Sequence, residues 1–406
     1  MRILLVSEDI PAPKLGGLGK HVVALGNALI AMGHEVFLMG KDSPDYAACA
    51  TEVGFHGRFV PGLGIPLRGW KEEQLGFFNP LKRPYFAKRM AKAIVNHAAE
   101  YDVVHYHGHQ PMVARYIPAS LNFVQTRHDQ GGDCITNVRF KNGDVCTDRS
   151  PDKCAACIHP APGPLRTVLS SMAVSRYRRE TALAYAAHPV VFVSDFLRKN
   201  YLQTMPDADL RGSAVIHNFV DEKLLVGVVS PASGQGISPS VVLHVAGRLD
   251  EPKGVGQLLD LLIPRLPSDW HVNVYGDGPL RKAIENRHSS PSLHLHGHQL
   301  HVDVVSATKA ATLVVVPSVL EEACGTVILE ALRLGKMCFS LDRGGTPELT
   351  RYGSPGQLRL FPDLEALVAG LLSENDFTVD HGGSPADVRQ HIEELLPIYQ
   401  RKHHGS

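Results

Sequence analysis

Residues 317–330 read Pro-Ser-Val-Leu-Glu-Glu-Ala-Cys-Gly-Thr-Val-Ile-Leu-Glu and follow a β-branched apolar run. The run predicts a buried strand, and the apolar spacing after Thr326 predicts a helix that ends at Gly335. The first amides of such a helix attract anions. Two acids bracket these amides, Glu322 before the helix and Glu330 within it. Eight helical residues would rise about 12 Å, so the acids suit the two ends of a ligand with an anionic centre.

Short β-rich runs alternate with helical patterns along the chain. Such alternation predicts parallel sheets covered by helices, here in two series separated by the Ser-, Gly- and Pro-rich segment 229–240. We expect one domain at 1–218, a second at 219–385, and a final amphipathic helix with its tail at 386–406. The predicted strands are Ile3–Val6, Glu35–Met39, Val103–Tyr106, Asn122–Thr126, Val190–Val193, Val241–Ala246, Val272–Tyr275, Leu293–His296 and Thr312–Val316.

Composition excludes several classes of protein. The 406 residues carry no formal net charge, with basic residues in excess in the first half and acidic residues in the second. No basic stripe with interleaved aromatic residues is present, so we expect no nucleic-acid partner. The apolar start at Ile3–Val6 is too short for a signal peptide, and no run approaches the length of a membrane span. We therefore expect a cytoplasmic protein whose seven cysteines are reduced.

A glycine-rich loop follows the first predicted strand. It reads Lys14-Leu15-Gly16-Gly17-Leu18-Gly19 and leads into an apolar helix pattern. Glycines let a backbone approach an anionic ligand closely, and the helix N-terminus favours negative charge. Taken alone, such a run is more typical of a tight turn.

Two cations open the second series of strands, Arg248 and Lys253, within the segment Gly247-Arg248-Leu249-Asp250-Glu251-Pro252-Lys253-Gly254. Five residues apart at a strand end, they could converge on one diphosphate, Arg248 through its planar fork and Lys253 as a point charge. Taken alone, such a pair is more often solvated surface charge.

Together these segments resemble the retaining glycosyltransferases of the GT-B fold, in which two Rossmann-like domains with parallel sheets face each other, and specifically those of the family 4, or group 1, type. The acids Glu322 and Glu330 match the Glu-x7-Glu signature of that family, and Arg248 with Lys253 matches its Gly-Arg-Leu…Lys-Gly pattern. The Lys14 block and Glu322-Ala323-Cys324-Gly325 also resemble glycogen synthases. In enzymes of this pattern the final helix crosses back to the first domain.

The resemblance implies transfer of a sugar from a nucleotide-diphosphate sugar, with UDP-sugars favoured, to an acceptor hydroxyl without a metal ion. It implies that Glu322 holds the donor sugar and Glu330 the ribose, and that Arg248 and Lys253 hold the diphosphate. It implies that His128, which follows the strand Asn122–Thr126, supports the sugar as it gains positive charge. The further donor-binding residues that it implies are Lys14, Gly16, Gly17, Gly19, Gly297, His298, Gly325 and Thr326.

Several alternatives stay open. The acceptor could be a glycan, a glycolipid or a small molecule, as in bacterial glycan, glycolipid or glycoconjugate synthesis. A nucleotide-sugar 2-epimerase of the same fold and a non-catalytic nucleotide-sugar-binding protein are the rival functions. The basic pattern at Asn79–Ala99 fits peripheral contact with anionic lipid at the inner face of a membrane, although an ordinary surface helix is the favoured interpretation.

A cysteine-rich insertion at about 130–160 poses a separate question. Its four thiols are those of Cys134, Cys146, Cys154 and Cys157, followed by His159. Four thiols that include a Cys-x2-Cys pair suit a structural Zn²⁺ or, less often, an iron–sulfur cluster. The alternative is a set of reduced thiols in an insertion, and both interpretations stay open.

Histidine is abundant, with 22 in the chain, and His105, His107 and His109 alternate at one strand end. Their composition suits a metal site, but we expect the alternation of side chains along the strand to keep them apart.

Overall fold

The computed structural model describes residues 1–10, 16–42, 53–64, 82–158, 163–221, 240–379 and 386–401. The chain divides into two compact units. The first contains Met1–Arg139, Thr147–His217 and Val388–Ser406, and the second contains Phe140–Cys146 and Asn218–Asp387. The predicted boundaries at 218 and 386 lie within two residues of this division.

The elements of the described residues are numbered in chain order. The strands are β1 (Arg2–Val6), β2 (Glu35–Met39), β3 (Arg58–Phe59), β4 (Val103–His107), β5 (Phe123–Arg127), β6 (Phe140–Lys141), β7 (Asp144–Val145), β8 (Val190–Phe192), β9 (Ala214–Val215), β10 (Val241–Ala246), β11 (Trp270–Tyr275), β12 (Leu293–Gly297), β13 (Leu313–Val316), β14 (Met337–Leu341) and β15 (Leu358–Phe361). The helices are α1 (Gly17–Ala31), α2 (Arg83–Ala98), α3 (Pro151–Ala155), α4 (Pro164–Ala187), α5 (Asp195–Thr204), α6 (Val255–Leu262), α7 (Arg281–Arg287), α8 (His301–Ala310), α9 (Thr326–Arg333), α10 (Leu364–Ser373) and α11 (Val388–Tyr399). Short 3-10 helices occupy Pro111–Tyr116, Glu251–Lys253, Ile263–Arg265 and Thr346–Tyr352.

The first unit is built on a parallel sheet with strand order β3-β2-β1-β4-β5-β8-β9. Its central strands β1, β4 and β5 are buried almost throughout, as expected where helices cover both faces, and β4 and β5 change from apolar to polar residues toward their carboxyl ends. One core cluster joins the sheet to α2 through Met90 and Ile94 and to α4 through Val174 and Tyr177.

The second unit is built on a parallel sheet with strand order β12-β11-β10-β13-β14-β15. The order reverses direction at the pair β10–β13, and ligands of doubly wound sheets bind at the carboxyl ends of strands near such a point. Leu258 and Leu259 of α6 and Leu367 and Leu371 of α10 pack into its core. The two parallel α/β units confirm the predicted fold class.

The last helix returns to the first unit. In α11 the side chains of Ile392, Leu395 and Ile398 are buried, as the apolar spacing predicts. Its final residue, Tyr399, lies with its hydroxyl 2.6 Å from Nδ1 of His105 in β4, and Asn122 donates to the Tyr399 carbonyl at 2.7 Å. The C-terminal segment is therefore part of the packing of the first unit.

One short hairpin differs from the prediction of a cysteine-rich insertion confined to the first domain. The strands β6 and β7 are joined by Asn142 and Gly143, both with positive φ, as in a two-residue hairpin turn. Phe140 packs against the core of the second unit. The insertion is thus divided, because its hairpin packs with the other unit.

All nine predicted strands form, with bounds that agree with the prediction or differ by one or two residues, and the basic pattern at Asn79–Ala99 becomes α2 over its described part. The short strands β3, β6, β7 and β9 and the longer strands β14 and β15 were not predicted. Among the described residues, no helix combines the length and the apolar character that crossing a bilayer requires.

Candidate functional site

The strand β13 delivers the loop 317–325 at its carboxyl end, and α9 begins at Thr326 as predicted. Ile328, Leu329, Ala331 and Leu332 form the buried side of this helix. Gly335 takes φ of 68° after the helix, a conformation that glycine adopts at little cost. Because Glu322 lies in the loop, only part of its spacing to Glu330 is helical, about 6 Å of rise. The expectation of eight helical residues between the two acids was therefore wrong.

Glu322 is held by two donors. Its Oε1 accepts from Lys253 Nζ and from Ser318 Oγ, both at 2.6 Å. Burial alone would raise the pKa of the Glu322 carboxyl, but Lys253 and the hydrogen bond from Ser318 outweigh burial and lower it. The carboxylate is therefore charged at neutral pH, in the same unit as the amides at the start of α9.

Close backbone approach brings Lys253 to this loop. Gly254 takes φ of 69°, and a Cβ added there would lie 2.1 Å from the Pro317 carbonyl oxygen. The Val319 amide also donates to the Pro252 carbonyl at 3.0 Å. Only glycine satisfies both the positive φ and the contact, so Gly254 fixes the position of its neighbour Lys253.

The second predicted cation, Arg248, lies just beyond β10. Its Nε is 2.9 Å from Asp250 Oδ2, and its side chain is 71% exposed. The guanidinium is thus positioned by one carboxylate and otherwise open to solvent, so it can contact a ligand.

The strand ends beside this loop approach one another through glycines. Gly276 takes φ of 139°, and a Cβ there would lie 1.8 Å from the Gly247 carbonyl oxygen. The Gly276 amide donates to the Gly297 carbonyl at 2.8 Å. Gly297 and the exposed His298, predicted from the resemblance, therefore lie at the carboxyl end of the sheet, where ligands bind in such folds.

Glu330 has a partner that the sequence analysis missed. His301 Nε2, at the first position of α8, lies 2.9 Å from Glu330 Oε1. The two residues are 29 positions apart, and no local pattern connects them. Glu330 is thus oriented by an imidazole while Glu322 is oriented by an ammonium group.

In the first unit, α1 begins at Gly17, inside the predicted glycine loop. The expectation that the loop extends to Gly19 was therefore wrong. Gly16 and Gly17 are exposed, and a Cβ at either would meet no atom within 4 Å, so internal packing does not explain the two glycines. Gly19 is buried in the helix. Lys14 lies outside the described residues.

His128 and Asp129 follow β5, as predicted. Burial and the neighbouring Arg127 lower the pKa of His128 to about 3, so its imidazole is neutral. The Asp129 carboxylate accepts from Arg127 and from His109 Nδ1, each at 2.6 Å. Burial opposes ionisation of Asp129, but Arg127 and His109 outweigh it and hold the pKa of the carboxyl well below its usual range.

His109 belongs to a charged network that the sequence analysis did not find. Its Nε2 lies 3.5 Å from Asp9 Oδ1, and its Nδ1 contacts Asp129. Burial favours the neutral ring, but the two carboxylates raise the pKa of His109 well above its usual value. A cationic His109 therefore stands two residues along the chain from neutral His107. The signal was the acid after β1 and the acid after β5, which parallel strands place at one sheet edge.

The histidines of β4 correct one expectation. His105 and His107 are two residues apart, so their side chains point to the same face, and His107 Nε2 lies 3.2 Å from His105 Nδ1. The expectation that strand alternation separates them was wrong.

The cysteines behave differently from the histidines. Among the described residues, one group of three possible metal ligands has its ligand atoms within 4.8 Å of one another, namely His21, His107 and His128. Cys134, Cys154 and Cys157 lie in the first unit without forming such a group, and Cys146 belongs to the second unit. A metal at the cysteine segment stays a prediction.

Comparison with models of known protein families identifies the family of this chain. Residues 15–224, more than half of the chain, match the sequence model described as Glycosyltransferase Family 4, and residues 240–373 match that of Glycosyl transferases group 1. The chain belongs to glycosyltransferase family 4. This confirms the resemblance drawn from the Glu322 and Lys14 segments.

Several solved structures resemble this family 4 glycosyltransferase over nearly its whole length. HepE of Anabaena, in complex with UDP and glucose, superposes with a TM-score of 0.65 at 16% identity, covering 98% of each chain. Sucrose-phosphate synthase of Thermosynechococcus elongatus gives 0.61 at 17% identity, covering 98% of this chain and 96% of its own. The catalytic domain of starch synthase IV from Arabidopsis thaliana, bound to ADP and acarbose, gives 0.60 at 15%, covering 99% of each.

At these identities the solved structures establish the fold of the family 4 glycosyltransferase, which is GT-B. A search among curated proteins found no matching sequence.

Proposed function

We propose that this protein is a retaining glycosyltransferase that moves a sugar from a nucleotide-diphosphate sugar to an acceptor hydroxyl. The observation that carries the proposal is the group Glu322, Lys253 and Ser318 at the loop before α9, with Glu330 inside that helix. A carboxylate, a cation, helix amides and a second carboxylate are the partners that a sugar, a diphosphate and a ribose require.

Charge explains how the group would change when a donor binds. Lys253 is paired with Glu322, and Arg248 is paired with Asp250 while remaining exposed. A diphosphate would draw both cations toward its oxygens, because each phosphate offers several strong acceptors. Once Lys253 moves to the phosphate, Glu322 would accept hydrogen bonds from sugar hydroxyls. Glu330 would accept them from the ribose.

In the proposed reaction the bond between the anomeric carbon and the diphosphate oxygen breaks, and a bond to the acceptor oxygen forms on the same face. The acceptor proton passes to the departing diphosphate. Arg248, Lys253 and the first amides of α9 stabilise the negative charge that develops on that leaving group. Their positive charge supplies what a divalent ion supplies in other transferases, so we propose that transfer needs no added metal. His128 supports the sugar as it gains positive charge.

The choice of donor rests on the neighbours and the family. HepE has been solved with UDP-glucose, which supports trying UDP-sugars first. We propose a glycan, glycolipid or small-molecule hydroxyl as acceptor, in bacterial glycan, glycolipid or glycoconjugate synthesis. We propose a cytoplasmic location, with the basic α2 as the point of any contact with the inner face of a membrane.

A panel of nucleotide sugars incubated with the protein, with and without acceptor extracts, tests the proposal. We expect release of nucleoside diphosphate that depends on acceptor, and a product whose anomeric configuration matches that of the donor. An epimerised donor formed without acceptor would instead indicate a 2-epimerase. Binding in a thermal-shift screen without any turnover would indicate a nucleotide-sugar-binding protein.

Lys253→Ala and Arg248→Ala complete this test. Each removes a charge-assisted contact worth roughly 1.5–3 kcal/mol, so acceptor-dependent release should fall about 10- to 100-fold. Lys282→Ala, at the second position of α7, is the control for general loss of positive charge in the same unit. Full activity in the variant that lacks both Arg248 and Lys253 would overturn the assignment of the site.

A further inference from the structure

Three imidazoles from separate elements meet inside the first unit. His21 comes from α1, His107 from the end of β4, and His128 from the segment after β5. One ligand atom of each lies within 4.8 Å of the corresponding atoms of the other two. Nothing in the proposed transfer reaction requires His21 or His107, so that reaction does not account for the cluster.

The distances suit a small tetrahedral ion. His107 Nδ1 lies 3.1 Å from His128 Nε2, and the ring centre of His21 lies 4.8 Å from that of His128 and 5.5 Å from that of His107. In a tetrahedral zinc site with Zn–N bonds of about 2.0–2.1 Å, ligand nitrogens are about 3.4 Å apart. A shift of a few tenths of an ångström at His107 and His128, with a rotation of His21, would admit the ion.

Contacts with neighbouring side chains already orient His107. Its Nε2 lies 3.2 Å from His105 Nδ1, and His105 in turn lies 2.7 Å from Thr126 Oγ1 and 2.6 Å from the Tyr399 hydroxyl. The tautomer in which His107 Nε2–H donates to His105 leaves a lone pair on Nδ1, which accepts from His128 Nε2–H at 3.1 Å. An ion would take the place of that proton, with His128 then protonated at Nδ1 instead. Ligating imidazoles are characteristically fixed by such a hydrogen bond at the other ring nitrogen.

The burial of the three histidines indicates where an ion would enter, and their nitrogen ligands indicate which ions would bind. His21 and His107 are buried and His128 is half-buried, so an ion would enter beside His128 and keep an open position there. Burial holds all three imidazoles in the neutral form that binds metals. Three neutral nitrogens suit Zn²⁺, Co²⁺ or Ni²⁺, whereas Mg²⁺ and Ca²⁺ prefer oxygen ligands.

We propose that His21, His107 and His128 form a binding site for one divalent ion of the zinc type, with a fourth position open to water or an anion. Binding of the ion would occupy the lone pair of His128. Because the proposed function assigns His128 to the transferring sugar, occupancy should inhibit transfer. That consequence rests on the proposed function, whereas the binding itself does not.

Cobalt titration of the full chain, stripped of metal by a chelator that is then removed, tests binding without any assay of activity. We expect one Co²⁺ per chain at this site, with the intense visible absorption of tetrahedral cobalt and displacement by Zn²⁺. Cobalt bound by the cysteine segment would be distinguished by a thiolate-to-cobalt charge-transfer band. His21→Gln and His128→Gln, which lie on different elements, should each weaken binding by at least the roughly 10- to 100-fold that is lost when a residue hydrogen-bonded to a metal ligand is removed.

Two controls separate this site from other metal ligands. His97→Gln in α2 and Cys157→Ser in the cysteine segment should leave the spectrum and the affinity unchanged. Unfolding midpoints of the metal-free variants show which of them fold, and either of the two cluster variants is sufficient for the test. Wild-type affinity in a folded cluster variant would overturn the proposal. Weak octahedral absorption alone, or a thiolate charge-transfer band that accounts for all bound cobalt, would overturn it equally.

The inhibitory consequence has a separate readout. One equivalent of Zn²⁺ should lower acceptor-dependent nucleotide release in the wild type, and chelator should restore it. In His21→Gln the same Zn²⁺ concentration should have little effect on release. Tetrahedral cobalt binding without any inhibition of transfer would leave the metal site standing and contradict the role proposed for His128.

Discussion

Glu322 and Glu330 differ in what holds them. Glu322 receives an ammonium and a hydroxyl group, and Glu330 receives an imidazole. Because the partner of Glu322 is the cation proposed to bind phosphate, removing the charge of Glu322 and removing that of Glu330 should have different effects on nucleotide binding.

Glu330→Gln should weaken binding of free UDP by about 10- to 100-fold, because it removes a charged acceptor worth roughly 1.5–3 kcal/mol. Glu322→Gln should reduce transfer, because Glu322 is proposed to hold the sugar, and should leave UDP affinity at the parent value or above it, because the Glu322 carboxylate competes with phosphate for Lys253. Calorimetric titration with UDP and initial transfer rates measure the two effects. Glu321→Gln is the matched control. Equal losses of UDP affinity in both variants would contradict this division of roles.

His244 provides a pH dependence in the second unit. It lies in β10 with its Nε2 3.1 Å from Thr308 Oγ1. Burial, together with His296, lowers the pKa of His244 to about 4. The unfolded chain binds a proton near pH 6.5 and the folded unit does not. The stabilisation by neutral His244 is therefore complete above pH 6.5 and is lost as pH falls toward 4, up to about 3 kcal/mol.

Urea unfolding at pH 7.5 and pH 5 measures this effect. In a Trp70→Phe background, Trp270 of β11 is the sole tryptophan and reports on the second unit. We expect the free energy of unfolding to fall more between the two pH values with His244 present than in His244→Gln. His298→Gln, at an exposed position, should behave like the parent chain. An unchanged pH dependence in His244→Gln would count against the neutral buried ring.

At the scale of elements, the turn between β10 and α6 sets the position of Lys253. Gly254→Ala would place a Cβ 2.1 Å from the Pro317 oxygen at a φ of 69°. The positive φ alone costs about 1–2 kcal/mol, and the contact forces the 317–325 loop to move. We expect lower stability by at least about that amount and weaker UDP binding, measured by urea unfolding and calorimetry.

The matched control for Gly254 lies two residues along the chain. A Cβ at Gly256 in α6 would meet its nearest atom at 4.0 Å. Gly256→Ala should therefore be neutral or stabilise the unit by about 0.5–1 kcal/mol, with UDP binding unchanged. If both substitutions had the same effect, the close approach at Pro317 would not be what holds Lys253.

The cysteine segment is the second element with a separate test. If Cys134, Cys146, Cys154 and Cys157 bind one metal, the purified His21→Gln variant, in which the histidine site is weakened, should still contain about one Zn²⁺ or one cluster per chain. A strong chelator should then speed hydrogen exchange within 130–160 before the rest of the protein responds. Cys154→Ser should lower the metal content, with Cys338→Ser as a buried control. Four thiols that titrate readily in metal-free protein would indicate reduced thiols held by packing.

At the scale of the molecule, the stability of the first unit depends on residues at the end of the chain. Leu395 of α11 is fully buried, and its neighbour Glu393 is exposed. Leu395→Ala should cost about 2–5 kcal/mol and should speed hydrogen exchange in β1 and β4. Exchange in β10 and β13 should stay at the parent rate.

Glu393→Ala, two residues before Leu395 and on the exposed side of α11, should leave exchange in both sheets at the parent rate. Faster exchange in β10 with no change in β1 after Leu395→Ala would show that α11 supports the other unit.

The amino-acid sequence by itself determined most of the longer elements and the residue types of the candidate site. Apolar runs such as that ending at Val316, and helix patterns such as that between Thr326 and Gly335, are local, and a few neighbouring residues specify them. The spacing of Glu322 and Glu330 and the order of Arg248 and Lys253 carried the resemblance to the family. These signals need no knowledge of what lies across the sheet.

Only the tertiary structure decided which distant residues meet. His301 reaches Glu330, Gly254 reaches Pro317, and His21 reaches His107 because parallel strands bring the loops at their carboxyl ends to one edge. Likewise, α11 packs on the first unit and the hairpin β6–β7 packs on the second, against their order in the chain. The physical reason is that burying apolar surface lowers the free energy of the folded chain wherever two complementary faces meet, whatever their distance along the sequence.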